Sequence, residues 1–324
     1  MTPRQLDDSA QRDGRVQRDG RAQLDDLVSL LDLEPIEVNV FRGRSPSESR
    51  QRVFGGQVAG QAMVAAGRTV PEDRPVHSLH AYFVRPGDPA IPILYTVERV
   101  RDGRSFSTRR VTAVQHGRAI FNLSASFHAA EEGVAHQDAM PQVPAPESLP
   151  TLQETLAEFA GDVDDLWLLR PRPVELRYVQ PNPFEARRRA HNGSEWRQPA
   201  RSQVWMRAAG PLPEDPLVHA CAVTYASDLT LLDSVLLAHG RSWDEPDVNG
   251  ASLDHAMWFH GPVRADEWLL YDQDSPWAAG GRGLAHGRIF TADGRLAVSV
   301  VQEGLVRTSP RPGPPGAGAS PSGG

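Results

Sequence analysis

Several groups of residues in this chain have the types and spacing that chemistry needs, and each also has a plain structural reading. His77-x-x-His80 and the pair His255 and His260 resemble metal-ligand spacings. Both lie in strand-like runs, where residues three or five apart face opposite sides, so neither pair can share one ion. Cys221 is the only cysteine, and its apolar neighbours make it a buried, inert thiol rather than a nucleophile. The glycine-rich Gly280-Gly281-Arg282-Gly283 lacks the third glycine of a dinucleotide fingerprint, since His286 stands there. Gly103-Arg104-Ser105-Phe106-Ser107 fails the serine-hydrolase elbow at its fifth position. Arg187-Arg188-Arg189 reads either as a solvated loop or as a contact for a phosphate-bearing ligand.

Three polar residues remain, each set in apolar surroundings. Asp228 closes the run Ala222-Val223-Thr224-Tyr225-Ala226-Ser227, and a carboxylate in such a place can take a proton. Its structural reading is a first-turn acid, with Ser227 capping a further turn through Leu231 and Leu232. Gln302 follows Val298-Ser299-Val300-Val301, where an outward-facing strand residue is the simplest account. Ser252 opens Ser252-Leu253-Asp254-His255, just ahead of the strand that carries Trp258. Singly, none of the three is decisive.

The elements that must position them follow from pattern. The chain has 324 residues, a net charge of −7, 40% hydrophobic and 23% charged residues, as a soluble protein with a real core does. All 34 basic residues are arginine, which removes lysine Schiff-base chemistry and the phosphate-loop lysine. The acidic balance argues against nucleic acid as a partner. No run is long and apolar enough for a membrane span, and a single cysteine fits a reducing, cytoplasmic compartment. Residues 1–22 are charged and nearly free of apolar side chains, so they read as a disordered leader, and 308–324 as a Pro/Gly tail. Pro141, Pro144, Pro146 and Pro150 punctuate a linker over 139–150, dividing the folded part into 23–138 and 151–307.

The two parts share an order of elements. Phe54–Val70 is small and apolar nearly all round, as in a helix enclosed by protein, and strand-like runs follow at 77–84, 93–100, 106–115 and 118–127. The second part offers strands at 174–179 and 202–207, an apolar run at 216–226, then strands at 256–260, 267–272, 287–291 and 295–307. Phe83-Val84-Arg85-Pro86 recurs as Phe259-His260-Gly261-Pro262 at an offset of 176, and Gly117-Arg118 as Gly294-Arg295 at an offset of 177. Two ordered matches at near-equal offsets favour duplication. The architecture implied is a long helix cradled by a curved antiparallel sheet, built twice.

With that frame in place, a family resemblance emerges. Phe41-Arg42-Gly43, Val53-Phe54-Gly55-Gly56-Gln57, Tyr82 to Asp88 (YFVRPGD) and Arg101 to Phe106 (RDGRSF) resemble the type II acyl-CoA thioesterases. So do Tyr225 to Leu229 (YASDL), Asp254 to His260 (DHAMWFH) and Val301-Gln302-Glu303-Gly304, and the similarity runs in order over residues 24–307. The resemblance implies an α+β double hotdog fold and hydrolysis of fatty acyl-CoA to fatty acid and coenzyme A, without cofactor or metal. Residue by residue it places the catalytic trio on Asp228, Ser252 and Gln302, all in the second part. Bacterial members often carry threonine at Ser252, and the hydroxyl is what the role needs. Asp228 would be the base, with Ser252 and Gln302 holding the attacking water. Ala59, Ala62 and Met63 on the first helix would line the acyl slot, and a homo-dimer or homo-tetramer is implied. Burial would raise the pKa of Asp228 and a helix N-terminus would lower it, so its sign stays open.

Two other functions remain to be weighed. A hydratase acting on 2-enoyl-CoA commonly uses an Asp/His pair, and Asp254-His255 is the adjacent one here. Strand neighbours face opposite ways, which counts against it. A non-catalytic acyl-CoA binding protein would carry the trio without turnover.

Overall fold

The structure is a computed structural model, and it describes residues 21–46, 52–158, 172–191 and 198–308. The expected leader and tail therefore lie outside the described residues, apart from a few at their inner ends. The first described residues form a helix, α1, described over residues 21–31, and two of these fall in the segment assigned to the leader. Its Leu24, Leu27 and Leu31 are buried, so this short stretch has an apolar stripe that the residues before it lack.

The first repeat comprises β1 (Glu34–Glu37), β2 (Val40–Gly43), α2 (Gly55–Gly67), β3 (Val76–Phe83), β4 (Ile93–Asp102), β5 (Phe106–Gln115) and β6 (Arg118–His128). A connecting helix α3 (Leu152–Ala157) precedes β7 (Val174–Tyr178), α4 (Pro183–His191), β8 (Arg201–Ala208) and α5 (Pro216–Ser227). After them come α6 (Asp233–Leu237), β9 (Val248–Ser252), β10 (Asp254–Phe259), β11 (Leu269–Ala279), β12 (Arg282–Thr291) and β13 (Leu296–Thr308).

The strands form one antiparallel sheet in the order β1-β2-β4-β5-β6-β3-β10-β13-β12-β11-β8-β7, with β9 also paired to β13. The two repeats meet at β3 and β10, where Leu79 faces Met257. Each repeat lays its strands in the same spatial order about that seam. The 176-residue offset read from sequence holds structurally, since Ile93 and Leu269 open β4 and β11, and Phe106 and Arg282 open β5 and β12. His116 and Gly117, with φ of 48° and 69°, close the β5–β6 hairpin in the doubly left-handed turn that matches strand twist.

Inside the sheet lie α2 and α5, packed against each other. Both are apolar on all sides because strands cover what the partner helix does not. They run antiparallel and approach at glycine. A Cβ on Gly56 would sit 2.5 Å from the Tyr225 carbonyl oxygen, and one on Gly60 would sit 3.3 Å from that of Cys221. At the far end a Cβ on Gly67 would meet the Leu217 side chain at 2.5 Å. The start of α5 is fixed by Pro216 and by Asp215, whose carboxylate accepts from Leu217 N–H at 2.8 Å.

The stretch 139–150 does not hang free. It crosses the outer face of the second repeat, where Trp205 Nε1–H donates to Pro144 O at 2.9 Å and Arg177 donates to Pro146 O and Leu149 O. Met140, Val143 and Leu149 pack there on Trp205, Leu270 and Phe290.

Gly60→Val should wedge the two helices apart, costing about 1–3 kcal/mol. In thermal melts that is a drop of roughly 2–8 °C, whereas Gly133→Val, with nothing near its Cβ, should shift little. Equal melting of the two variants would refute the helix contact.

Candidate active site

Asp228 follows the last residue of α5 and turns its carboxylate across to the first turn of α2. A Cβ on Gly55 would lie 2.7 Å from Asp228 Oδ2, and the Gly56 backbone N–H bonds to the same carboxylate. The expected N-terminal turn is therefore corrected. Asp228 caps the C-terminus of a helix, and Ser227 starts none: its hydroxyl lies 2.9 Å from Thr224 O and 2.9 Å from His255 Nε2. The helix that does follow, α6, begins only at Asp233 and has no side-chain cap.

Ser252 ends β9 and is paired to β13 opposite Gly304, two residues beyond Gln302. Gln302 is fully buried, so the outward-facing reading of that strand position is also corrected. Alternation carried the signal: Val298, Val300 and Gln302 are buried in phase along β13. The three polar side chains close a triangle. Ser252 Oγ–H donates to Asp228 Oδ1 at 3.1 Å, and Gln302 Nε2–H donates to Asp228 Oδ1 at 2.6 Å and to Ser252 Oγ at 2.9 Å. Both side-chain bonds to the carboxylate end on Oδ1, which leaves Oδ2 toward Gly55.

Burial pushes the Asp228 carboxyl up to about 6, against the pull of bonds from Gln302, Ser252 and Gly56 and the charge of Arg52. The negative end of its own helix acts in the same upward sense as burial. That settles the sign left open by sequence. A second carboxyl, Asp233, is also raised to about 6 by burial. Its Oδ2 accepts from Tyr178 O–H at 3.0 Å and its Oδ1 from Trp243 Nε1–H at 2.7 Å. With both oxygens occupied, Asp233 is a structural tie.

The other candidates fall elsewhere. Ala59, Ala62 and Met63 lie further along α2, but all are sealed at 1% exposure or less and present no open slot. Their helix is pressed onto α5 and the strands β4 to β6, so small residues there serve close packing. A small apolar pocket is bounded instead by Leu24, Leu27, Met206, Ala222, Ala226 and Leu269, between α1, α5 and the strands β8 and β11. Cys221 is buried, with its thiol pushed up by desolvation. His77 Nε2 bonds Ser126 Oγ at 2.8 Å, while His80 packs edge-on against Trp258. Of the three-arginine run, Arg187 pairs with Asp244 and Arg188 lies over the Phe184 ring. Asp254 and His255 do not form a dyad, for Asp254 Oδ1 accepts Glu303 N–H at 2.8 Å while His255 turns inward to Ser227. What sequence reasoning missed is the backbone of Gly55 and Gly56, which the first repeat brings to the site.

A sequence model of the family described as "Acyl-CoA thioesterase" matches residues 174–305, and one described as "Acyl-CoA thioesterase N-terminal domain" matches residues 44–128. Acyl-coenzyme A thioesterase 8 of Homo sapiens is 44% identical over 87% of this chain and 89% of its own length. Acyl-CoA thioesterase 2 of Haemophilus influenzae is 39% identical over 87% of this chain and 97% of its own. Among solved structures, the acyl-CoA thioesterase II TesB2 of Mycobacterium marinum superposes with a TM-score of 0.71 at 47% identity, covering 87% of this chain and 98% of that one. A hot dog fold protein from Alicyclobacillus acidocaldarius, 21% identical, reaches a TM-score of 0.69 over 87% and 98% of the two chains, showing the fold alone.

The raised carboxyl has a consequence for stability. With a folded pKa of about 6 against an ordinary 3.8, the native state holds the proton more tightly than the unfolded chain. Ionised Asp228 therefore costs the fold above pH 6, and the cost fades as pH falls toward 4. Asp228→Asn should melt a few degrees above wild type at pH 8, about 1–3 kcal/mol, with the gap closing near pH 4. A gap that does not change with pH would mean the carboxyl is not raised.

Proposed function

This chain belongs to the acyl-CoA thioesterase family, and we propose that it cleaves fatty acyl-CoA by direct attack of a water held by Asp228, Ser252 and Gln302. The observation that carries the reading is convergence. Side chains from the end of α5, the end of β9 and the middle of β13, as far apart as residues 228 and 302, meet on one carboxylate oxygen within 3.1 Å. A fold gains nothing from assembling a raised carboxylate there, since apolar residues would fill the space at less cost.

In the mechanism we propose, Asp228 takes a proton from the water as the oxygen attacks the thioester carbonyl. A base with a pKa near 6 is ionised at neutral pH yet still basic enough to help, an effect worth roughly 10²–10⁴ in rate. Ser252 and Gln302 hold the carboxylate and share in fixing the water's line of attack. The oxyanion would be met by backbone N–H groups in the first turn of α2, where a helix leaves its amides without intrahelical partners. Collapse of the tetrahedral intermediate breaks the C–S bond, and the proton on Asp228 passes to the departing thiolate. The same reading carries the proposals of a cytoplasmic protein and of a homo-dimer or homo-tetramer, which sedimentation would test. No helix among the described residues is long and apolar enough to cross a membrane.

The test is release of free thiol from acyl-CoAs between acetyl and palmitoyl. Wild type should show an optimum chain length and an acid limb in kcat/KM with a midpoint near pH 6. Asp228→Asn should lose at least about 100-fold, Ser252→Ala and Gln302→Ala roughly 10- to 100-fold, and Ser252→Thr little. Turnover by Asp228→Asn within about threefold of wild type would sink the mechanism. Ligand binding without any thiol release would point to a binding protein.

A further inference from the structure

Gln302 can serve the site only with its amide turned one way. Nε2 must face Asp228 and Ser252, because the exchanged orientation would set a carbonyl oxygen against a carboxylate. The terminal torsion that exchanges them is soft and roughly two-fold, so the strand does not choose. Asp228 favours one orientation from its side, and a donor on the far side of Oε1 would lock it.

The ladder between β10 and β13 pairs Ala256 with Val301, and the next step of that register sets His255 opposite Gln302. Both are sealed, at 1% and 0% exposure. His255 Nε2 is engaged by the Ser227 hydroxyl at 2.9 Å, which leaves Nδ1. His255 Nδ1 and Gln302 Oε1 are both buried atoms without a well-aligned hydrogen-bond partner, in each other or elsewhere. Gln302 acts on this imidazole in the sense of a hydrogen-bond acceptor, opposing the burial that pushes it down to about 4. The ring is therefore neutral at working pH and carries a single proton.

The other repeat shows what the fold alone requires at this place. The corresponding cross-strand pair there is Leu79 and Ala125, at 0% and 1% exposure. An apolar pair satisfies the core, so a buried imidazole beside a buried amide answers some other demand.

We propose that His255 is a positioning residue for the hydrolysis: as the Nδ1–H tautomer it donates to Gln302 Oε1 and fixes Nε2 toward Asp228 and Ser252. Ser227 Oγ lies 2.9 Å from both Thr224 O and His255 Nε2, and in this tautomer its one hydroxyl proton turns from the carbonyl to Nε2, which completes a chain from α5 through β10 to β13. The inference rests on the trio proposed above.

The experiment compares kcat and KM of three variants on one acyl-CoA that wild type hydrolyses well. His255→Asn keeps an N–H where Nδ1 stands, His255→Gln reaches Ser227 but leaves Nδ1 empty, and His255→Leu installs the first repeat's residue. His255→Asn should stay within about threefold of wild type, while the other two lose roughly 10- to 30-fold in kcat with KM unchanged. Melting temperatures taken alongside separate this from loss of fold. The nitrogen-15 shifts of His255 in wild type should report the Nδ1–H tautomer, a readout that needs no variant to fold. Equal kcat in His255→Gln and His255→Asn, or an Nε2–H tautomer, would overturn the assignment. Asp228→Asn is run beside them: if it is inactive while His255→Gln is not, only the role of His255 fails. If it turns over like wild type, the trio itself is wrong.

Discussion

The close crossing of α2 and α5 is the constraint on which the site depends. Because the helices run antiparallel, the C-terminus of one lies beside the N-terminus of the other. The approach is near enough that a methyl on Gly56 would run into the Tyr225 carbonyl. Asp228 sits in that junction, with the negative end of its own helix behind it and the amide of Gly56 in front. The two helix ends act in opposite directions on a carboxylate, and burial decides the balance upward. A bulkier pair of helices would open the junction to water and dissolve the effect. Alanine and glycine in α2 thus matter electrostatically as well as sterically.

Duplication makes this arrangement possible and then departs from symmetry to use it. Both repeats carry a helix on a sheet, joined at β3 and β10, and neither alone would bring a foreign helix N-terminus to its own carboxylate. The polar triangle draws its side chains from one repeat. The second repeat supplies Asp228, Ser252 and Gln302, while the first supplies backbone and a covering of apolar side chains. Where the second has His255 opposite Gln302, the first keeps Leu79 opposite Ala125.

Much of this was legible in the residues, and the remainder fails for identifiable reasons. The repeat showed because antiparallel ladders conserve spacing, so Phe83 and Phe259 kept their 176-residue interval through the folded ladder. Asp228 stood out by type, since a carboxylate ending an apolar run is unusual, but its place at a helix C-terminus did not. Ser227 invited the opposite reading because serine caps helices well, whereas here its hydroxyl is taken by Thr224 and His255. Gln302 taken alone allowed an outward-facing account because one polar residue gives no phase, although Val298 and Val300 on the same face did, and only the family resemblance brought it to the site. Gly55 and Gly56 could not be connected to Asp228 at all. They lie more than 170 residues earlier, and nothing local in the chain encodes which helix end will meet a distant carboxylate.

The two raised carboxyls show that burial alone does not assign a role. Asp228 and Asp233 are both lifted to about 6 by desolvation, five residues apart. Asp233 is held by a phenol and an indole on separate oxygens, so any proton it exchanges breaks a bond that the core needs. Asp228 gathers its side-chain bonds on Oδ1 and keeps Oδ2 toward a glycine, where no methyl stands in the way. Equal pKa values therefore do not mean equal roles. The distinction lies in how side-chain bonds are shared between the two oxygens and in what stands beside the second, and for Asp228 that is the absent side chain of Gly55.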